Sequence, residues 1–387
     1  MENTGNIRPH QKYLKKTAEK IDWQNVRRVL VVRLRSIGDT VLATPSLIAL
    51  RRFLPDAEID ILLEDWVAPV LDGFDAVDNV IAVGDGLAER GKLALKLRKR
   101  NYDVAYNLHG GTTGTFFTFA SGARHRVGFK EYQYSFLYND LFSSSLDFWK
   151  ADKLHSAEQQ LALLGFTGVP VEDRPKSKLY VTDAARQSIQ RKLTAEARRR
   201  RDGSEPGAIA TGFSSLAPDP FPLAMLHPAA AFATKEWSAE NFARVAEYLD
   251  SKGLKVVAVA AKNEKDVLEK LTAASKVPII TFDDLTLPEI TALASRAKIF
   301  VGNDSGIAHI AAAVDTPSVV VFGSSNRAHW RPWTDAPNEI VYEEFACQPC
   351  AGYECKEFGE PKCILSVKPE TVISAVERVL SINRKKL

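Results

Sequence analysis

One pattern occurs twice in this chain, and it limits the fold more than any other feature. An apolar strand runs into a turn of small residues, and a helix starts at once. The sharper copy is residues 299–313, IFVGNDSGIAHIAAA, where the turn Gly302-Asn303-Asp304-Ser305-Gly306 feeds an Ala-rich helix. The other is residues 30–47, LVVRLRSIGDTVLATPSL, with Gly38 and Asp39 at the corresponding turn. A turn aimed into a helix start leaves backbone N–H groups unpaired at the positive end of the helix dipole, where an anion such as phosphate is stabilised. Asp304 or Ser305 acting only as a helix cap is the plainer alternative.

Between and after these copies the grammar repeats. Strands are expected at 29–34, 58–63, 80–83, 104–108 and 178–181, and helices at 40–54, 87–100, 156–164 and 184–202. The second half offers strands at 223–227, 256–260, 279–281, 299–302 and 318–322. Its helices are expected at 239–251, 263–274, 288–294, 306–313 and 369–382. Such alternation means βαβ units and parallel sheets. A chain of 387 residues exceeds one ordinary core. The expected organisation is a basic arm at 1–28, a Rossmann-like domain at 29–202, a Gly/Pro/Ser-rich linker or insertion at 203–222, and a second Rossmann-like domain at 223–387. Ligands in this α/β class sit at the carboxyl ends of strands.

Charge excludes little except nucleic acid. The net charge is +3, with 51 Lys+Arg against 48 Asp+Glu, and residues 1–28 alone hold seven Lys/Arg against three acids. That arm reads as a solvated segment, with contact to an anionic membrane surface as its second reading. No secretory core and no apolar run of membrane-spanning length is visible, so a cytoplasmic protein is expected. Residues 109–140, Gly/Ser/aromatic with Arg124, His125, Arg126 and Lys130, suit a surface lobe facing an anionic ligand better than core.

Among nucleotide motifs, GLAERGKL at 86–93 fails as a P-loop because Leu93 stands where a Ser/Thr is required. There is no G-x-G-x-x-G and no Asp-x-Asp pair to hold a metal against a diphosphate. Asp39, at a strand end, is the candidate base for an attacking hydroxyl, or a helix cap. Lys235, in HPAAAFATKEW, can neutralise a departing diphosphate, or is a surface lysine. His309 either touches a phosphate or helps position Asp304, or is a satisfied half-buried histidine. Cys347, Cys350, Cys355 and Cys363 lie within 17 residues. Cys-x2-Cys is a good first half of a zinc site, but no second close pair follows, and free thiols are the simpler reading.

In order along the chain stand VVRLRSIGDTVLATPSLIALRRFLPDAEID, FDAVDNVIAVG, LHPAAAFATKEWSAENFARVAEYL and FVGNDSGIAHIAAAVDTPSVVVFGSSNRAHWRPW. On these motifs the chain resembles glycosyltransferase family 9, the lipopolysaccharide heptosyltransferases. The resemblance implies a GT-B architecture, two Rossmann-like doubly wound domains facing a central crevice, with the acceptor on the first and the nucleotide sugar on the second. It implies an inverting, metal-independent transfer of heptose from ADP-heptose to an inner-core sugar of lipopolysaccharide, without a cofactor. Carried across, Asp39 is the base and Lys235 the lysine near the donor phosphates. Gly38, Asp304, Ser305, Gly306 and His309 belong to the turns and helix around the donor, and Glu264 meets the nucleoside. Arg124, Arg126 and Lys130 face the acceptor. Departures are Ala260-Ala261 before Glu264, where Gly-Gly is usual, and a hydroxyl-free Ala229–Ala231. Alternatives are a family member using another nucleotide sugar, a nucleotide-sugar 2-epimerase, and a non-catalytic sugar-nucleotide-binding protein.

Overall fold

The computed structural model describes residues 21–201, 221–350 and 352–384, so most of the basic arm and nearly all of the 203–222 linker lie outside the described residues. The chain divides into two compact units, Met1–Ser177 and Lys178–Leu387.

Unit 1 runs β1 (Arg28–Leu34), α1 (Ile37–Val41), α2 (Thr44–Phe53), β2 (Glu58–Glu64), β3 (Asn79–Val83), α3 (Leu87–Lys99), β4 (Val104–Asn107), α4 (Gly111–Ala120), β5 (His125–Phe129), β6 (Asp140–Phe142), α5 (Ser145–Trp149) and α6 (Ser156–Phe166). Its sheet is ordered β3-β2-β1-β4-β5-β6, all parallel. Six of the seven β1 residues are buried, as a central parallel strand covered on both faces requires.

Unit 2 runs α7 (Asp183–Arg201), β7 (Leu223–His227), α8 (Ala239–Ser251), β8 (Lys255–Val259), α9 (Lys265–Ala274), β9 (Ile280–Phe282), α10 (Leu287–Arg296), β10 (Ala297–Asn303), α11 (Gly306–Ala313), β11 (Ser318–Val321), α12 (Arg327–Trp330), β12 (Asn338–Val341), α13 (Lys362–Leu365) and α14 (Pro369–Arg384). The order β12-β11-β10-β7-β8-β9 is the same doubly wound sequence read from the other edge. Its largest core cluster joins Leu226, Val301 and Val321 of the sheet to Trp237 and to Phe242 of α8 and Val376 of α14.

Each sheet therefore reverses its winding once, between β1 and β4 in unit 1 and between β7 and β10 in unit 2. The carboxyl ends of those four strands carry Arg33–Asp39, Asn107–Gly110, His227–Lys235 and Asn303–His309, the segments that matter below.

Three expectations need correction. The first domain does not extend to Asp202, because α7 packs on α10 of unit 2. There Ser188 Oγ donates to Glu289 Oε1 at 2.7 Å, and Arg296 Nη1 donates to Gln190 Oε1 at 2.7 Å. Residues 178–181 form no strand. Leu179 N donates instead to Ala313 O at the end of α11, at 2.9 Å. Finally, residues 109–140 are not merely a surface lobe, since β5 and β6 extend the sheet. His125 is buried with Nδ1 3.1 Å from Asp140 Oδ2 of β6, so that base belongs to the sheet.

Candidate active site

In unit 1 the turn after β1 places Asp39 in the first turn of α1, capped by Ser36. Asp39 is not the cap residue. Its Oδ1 is 2.5 Å from Arg33 Nη2, and its Oδ2 accepts from Ser36 Oγ at 3.1 Å. Arg33 is 7% exposed, and its Nη1 donates to Leu108 O at 2.6 Å, which fixes the guanidinium beside the carboxylate. A charge buried in a central strand is costly unless paired, so Arg33 and Asp39 hold each other.

From the neighbouring β4 end, Asn107 Oδ1 accepts from the backbone N–H of both His109 and Gly110 at 2.9 Å. Gly110 has φ +71°, a conformation that favours glycine, and Tyr132 closes the space a side chain would need. His109 thereby faces Arg33, Arg35 and Asp39. Burial lowers its pKa, the Arg33 and Arg35 charges lower it further, and Asp39 only partly opposes them. The imidazole is neutral near pH 7, able to accept or relay a proton.

In unit 2, Lys235 Nζ lies 2.9 Å from Asp304 Oδ2, which also accepts from Ser325 Oγ at 2.5 Å. Asp304 is 6% exposed; it anchors the ammonium rather than presenting a free carboxylate. Asn303 stitches the two strand ends together, accepting from Trp237 N at 3.1 Å and donating to Pro228 O at 2.7 Å.

Ser305 precedes α11 but makes no side-chain cap; its Oγ lies 3.1 Å from His227 Nδ1. Neither Asp304 nor Ser305 spends its side chain capping α11, so the helix start retains its capacity for an anion. Gly306 opens the helix and His309 is buried within it. Gly302, just before the turn, has Phe300 and His227 O where a side chain would project, so its small size lets β10 pass close to β7.

Glu264 is half-buried beside the β8 end, its Oε2 accepting from Ala261 N at 3.0 Å. Nearby Glu236 has its pKa raised by burial, with Lys270 opposing, and Asp266 and Glu264 adding to the rise. Arg126 is already committed, donating to Leu137 O at 2.8 Å and Ala123 O at 2.7 Å, whereas Arg124 and Lys130 are exposed. The four cysteines are free thiols, and burial followed by the neighbouring Cys350, Cys347 and Cys355 pushes Cys363 up. Among the described residues no group of three or more His, Cys, Asp or Glu is arranged to hold a metal ion.

Two predictions arise here. His227 is buried, and desolvation lowers its pKa to about 4. The unfolded chain takes up a proton near pH 6.5 that the folded chain refuses until about pH 4. The stability linked to His227 is therefore complete above pH 6.5 and is lost as pH falls towards 4, by ~3 kcal/mol in all. His227→Gln should flatten this acid slope in denaturant melts, and an unchanged slope would refute the assignment. Secondly, a Cβ on Gly323 would fall 2.3 Å from Thr234 O, against backbone that cannot swing away. Gly323→Ala should cost ~1–3 kcal/mol by overpacking. It should also displace Ser325 from Asp304, which a lowered Tm together with weaker nucleotide binding would report.

The chain is similar to known proteins in both sequence and fold. Residues 90–359 match the sequence profile of glycosyltransferase family 9 (heptosyltransferase). The lipooligosaccharide heptosyltransferase 2 of Haemophilus ducreyi is 26% identical over 258 residues, covering 63% of this chain and 66% of that protein. The lipopolysaccharide heptosyltransferase 2 of Escherichia coli K12 is 25% identical, covering 64% and 67%. Among solved structures, the family 9 glycosyl transferase of Veillonella parvula superposes with TM-score 0.76 at 20% identity, over 94% of this chain and 99% of its own. The E. coli ADP-heptose LPS heptosyltransferase II gives 0.73 at 21%, over 92% and 99%. An E. coli heptosyltransferase solved with ADP gives 0.65 at 19%, over 91% and 99%.

Two Rossmann-like units of this topology are the architecture of the GT-B glycosyltransferases. The chain belongs to glycosyltransferase family 9, the heptosyltransferase family.

Proposed function

We propose that this protein transfers a heptose, with inversion and without a catalytic metal, from ADP-heptose to an inner-core sugar of a lipopolysaccharide-type glycolipid. The observation that carries the reading is Lys235 beside Asp304 at the uncapped start of α11, where the winding of unit 2 reverses. The ammonium and the helix N–H groups are fixed positive charge, suited to the diphosphate as its bond to the sugar breaks. That is the task a divalent metal performs in sites built around paired acids.

In unit 1, Asp39 takes the proton of the attacking acceptor hydroxyl as the oxygen bonds to the anomeric carbon from the face opposite the leaving diphosphate. Arg33 orients the carboxylate through Nη2 and steadies it by its own anchor on Leu108 O. Ser324 and Ser325, following β11, bring hydroxyls to a cluster where residues 229–231 have none. Glu264 is suited to the ribose of the nucleoside. The ADP and heptosyltransferase descriptions of the relatives support the choice of donor.

The test is thermal unfolding with ADP, UDP, GDP and CMP, each with and without chelator. At a hundred times its Kd a ligand stabilises by ~2.7 kcal/mol, a readily measured rise in midpoint. ADP alone should raise it, and chelator should not matter. A preference for UDP or GDP would overturn the donor, and a shift abolished by chelator would overturn metal independence.

A further inference from the structure

We propose that unit 1 docks on an anionic lipid bilayer through an aromatic and basic face made by α3, α4 and the segment between β5 and β6. The inference does not depend on which sugar is transferred.

The face begins with α4, GTTGTFFTFA, which contains no charged residue although its outer side is exposed. Phe116 and Phe119, three apart and on that outer side, are 45% and 48% exposed, while Phe117 between them is fully buried. A surface helix ordinarily carries Lys or Glu at such positions.

Beside α4 the segment after β5 holds Phe136 and Tyr134, edge to face at 6.3 Å and 79% and 43% exposed. The two parts are physically joined. Thr112 Oγ1 donates to Gln133 Oε1 at 3.1 Å, and Arg126 spans from the Phe119 ring, 5.9 Å away, to Leu137 O.

On the other side lies α3, whose Leu97 shares a core with Phe117 and whose Arg98 covers the turn at Gly122 after α4. It carries five Lys/Arg against one acid, Glu89. Lys92, Lys96 and Lys99 recur at i, i+4 and i+7 on its exposed side, with Leu95, 66% exposed, between them.

Charge complementarity selects the occupant. Protein–protein interface centres are poor in lysine, which is costly to dehydrate and to order. Aromatic and leucine side chains at headgroup depth, flanked by lysines that stay hydrated, suit an anionic membrane surface. No described helix is long and apolar enough to cross a membrane, so the attachment is peripheral.

The experiment is flotation of the full chain with vesicles of phosphatidylcholine alone or mixed with phosphatidylglycerol. Only the anionic vesicles should carry the protein, and added salt should release it. One lysine near such a surface contributes about a fivefold change in partition, so Lys92→Ser/Lys96→Ser/Lys99→Ser should reduce binding by about a hundredfold. Phe136→Ser should reduce it further, and both variants should melt as the parent does. Lys12→Ser/Lys15→Ser/Lys16→Ser, in the basic arm, should leave most of the binding intact. The proposal fails if the parent ignores both vesicles, if the α3 variant floats like the parent, or if the arm variant alone abolishes binding. It also fails if ultracentrifugation finds a dimer that Phe136→Ser dissociates, because the face would then belong to a second copy.

Discussion

Asp39→Asn should lower heptosyl transfer by about 10²- to 10⁴-fold while leaving ADP binding where it was, the loss expected when a positioned base is removed. The substitution keeps an oxygen for Ser36 Oγ and a side chain of the same size beside Arg33. It does remove the counterion of a buried guanidinium, so part of the effect could enter through stability. Two readouts separate the causes. A melt finds any loss of folding, and nucleotide titration reports the donor cluster of unit 2. Intact folding with unimpaired ADP binding and collapsed turnover is the expected combination. Full transfer in Asp39→Asn would end the assignment of this carboxylate as base. His109→Gln should give a smaller fall in kcat and change the shape of its pH dependence, because the imidazole is held neutral beside the same carboxylate.

The sequence made the βα elements legible because burial on both faces of a parallel sheet writes continuous apolar runs. The 239–251 and 306–313 helices match the structure at both ends. It failed where structure depends on distant partners. Strand β5, HRVGF, carries two bases in its first two residues, tolerated because His125 meets Asp140 of β6 and Arg126 donates to Leu137 O and Ala123 O. The α7 helix was visible, but its attachment to α10 rests on side-chain bonds from Ser188 and Gln190 that no spacing announces. At the site, Asp39, Lys235 and Asp304 stood out through their turns, while the residues that hold them did not. Arg33 left one signal, a lone charge inside a buried apolar strand, which demands a partner. His109, His227 and Ser325 left none, since their roles follow from which strand ends lie side by side.

Lys235→Ala should reduce kcat by about 10²- to 10³-fold, the range found when one fixed donor to a developing charge is lost. The size of the effect depends on Asp304, whose carboxylate neutralises much of the ammonium. That pairing predicts a split between binding and turnover. Asp304→Asn frees Lys235 from its counterion, so ADP should bind as tightly as before or more tightly. The ammonium, however, then lacks the anchor that aims it, and Ser325 Oγ loses its charged acceptor. Binding should therefore hold while kcat falls, whereas Lys235→Ala should weaken both. In the double variant Lys235→Ala/Asp304→Asn the second substitution should add little, because Asp304 acts through the lysine. Independent losses that multiply would instead give Asp304 its own contact with the donor sugar, and the cycle measured on kcat decides between these two roles.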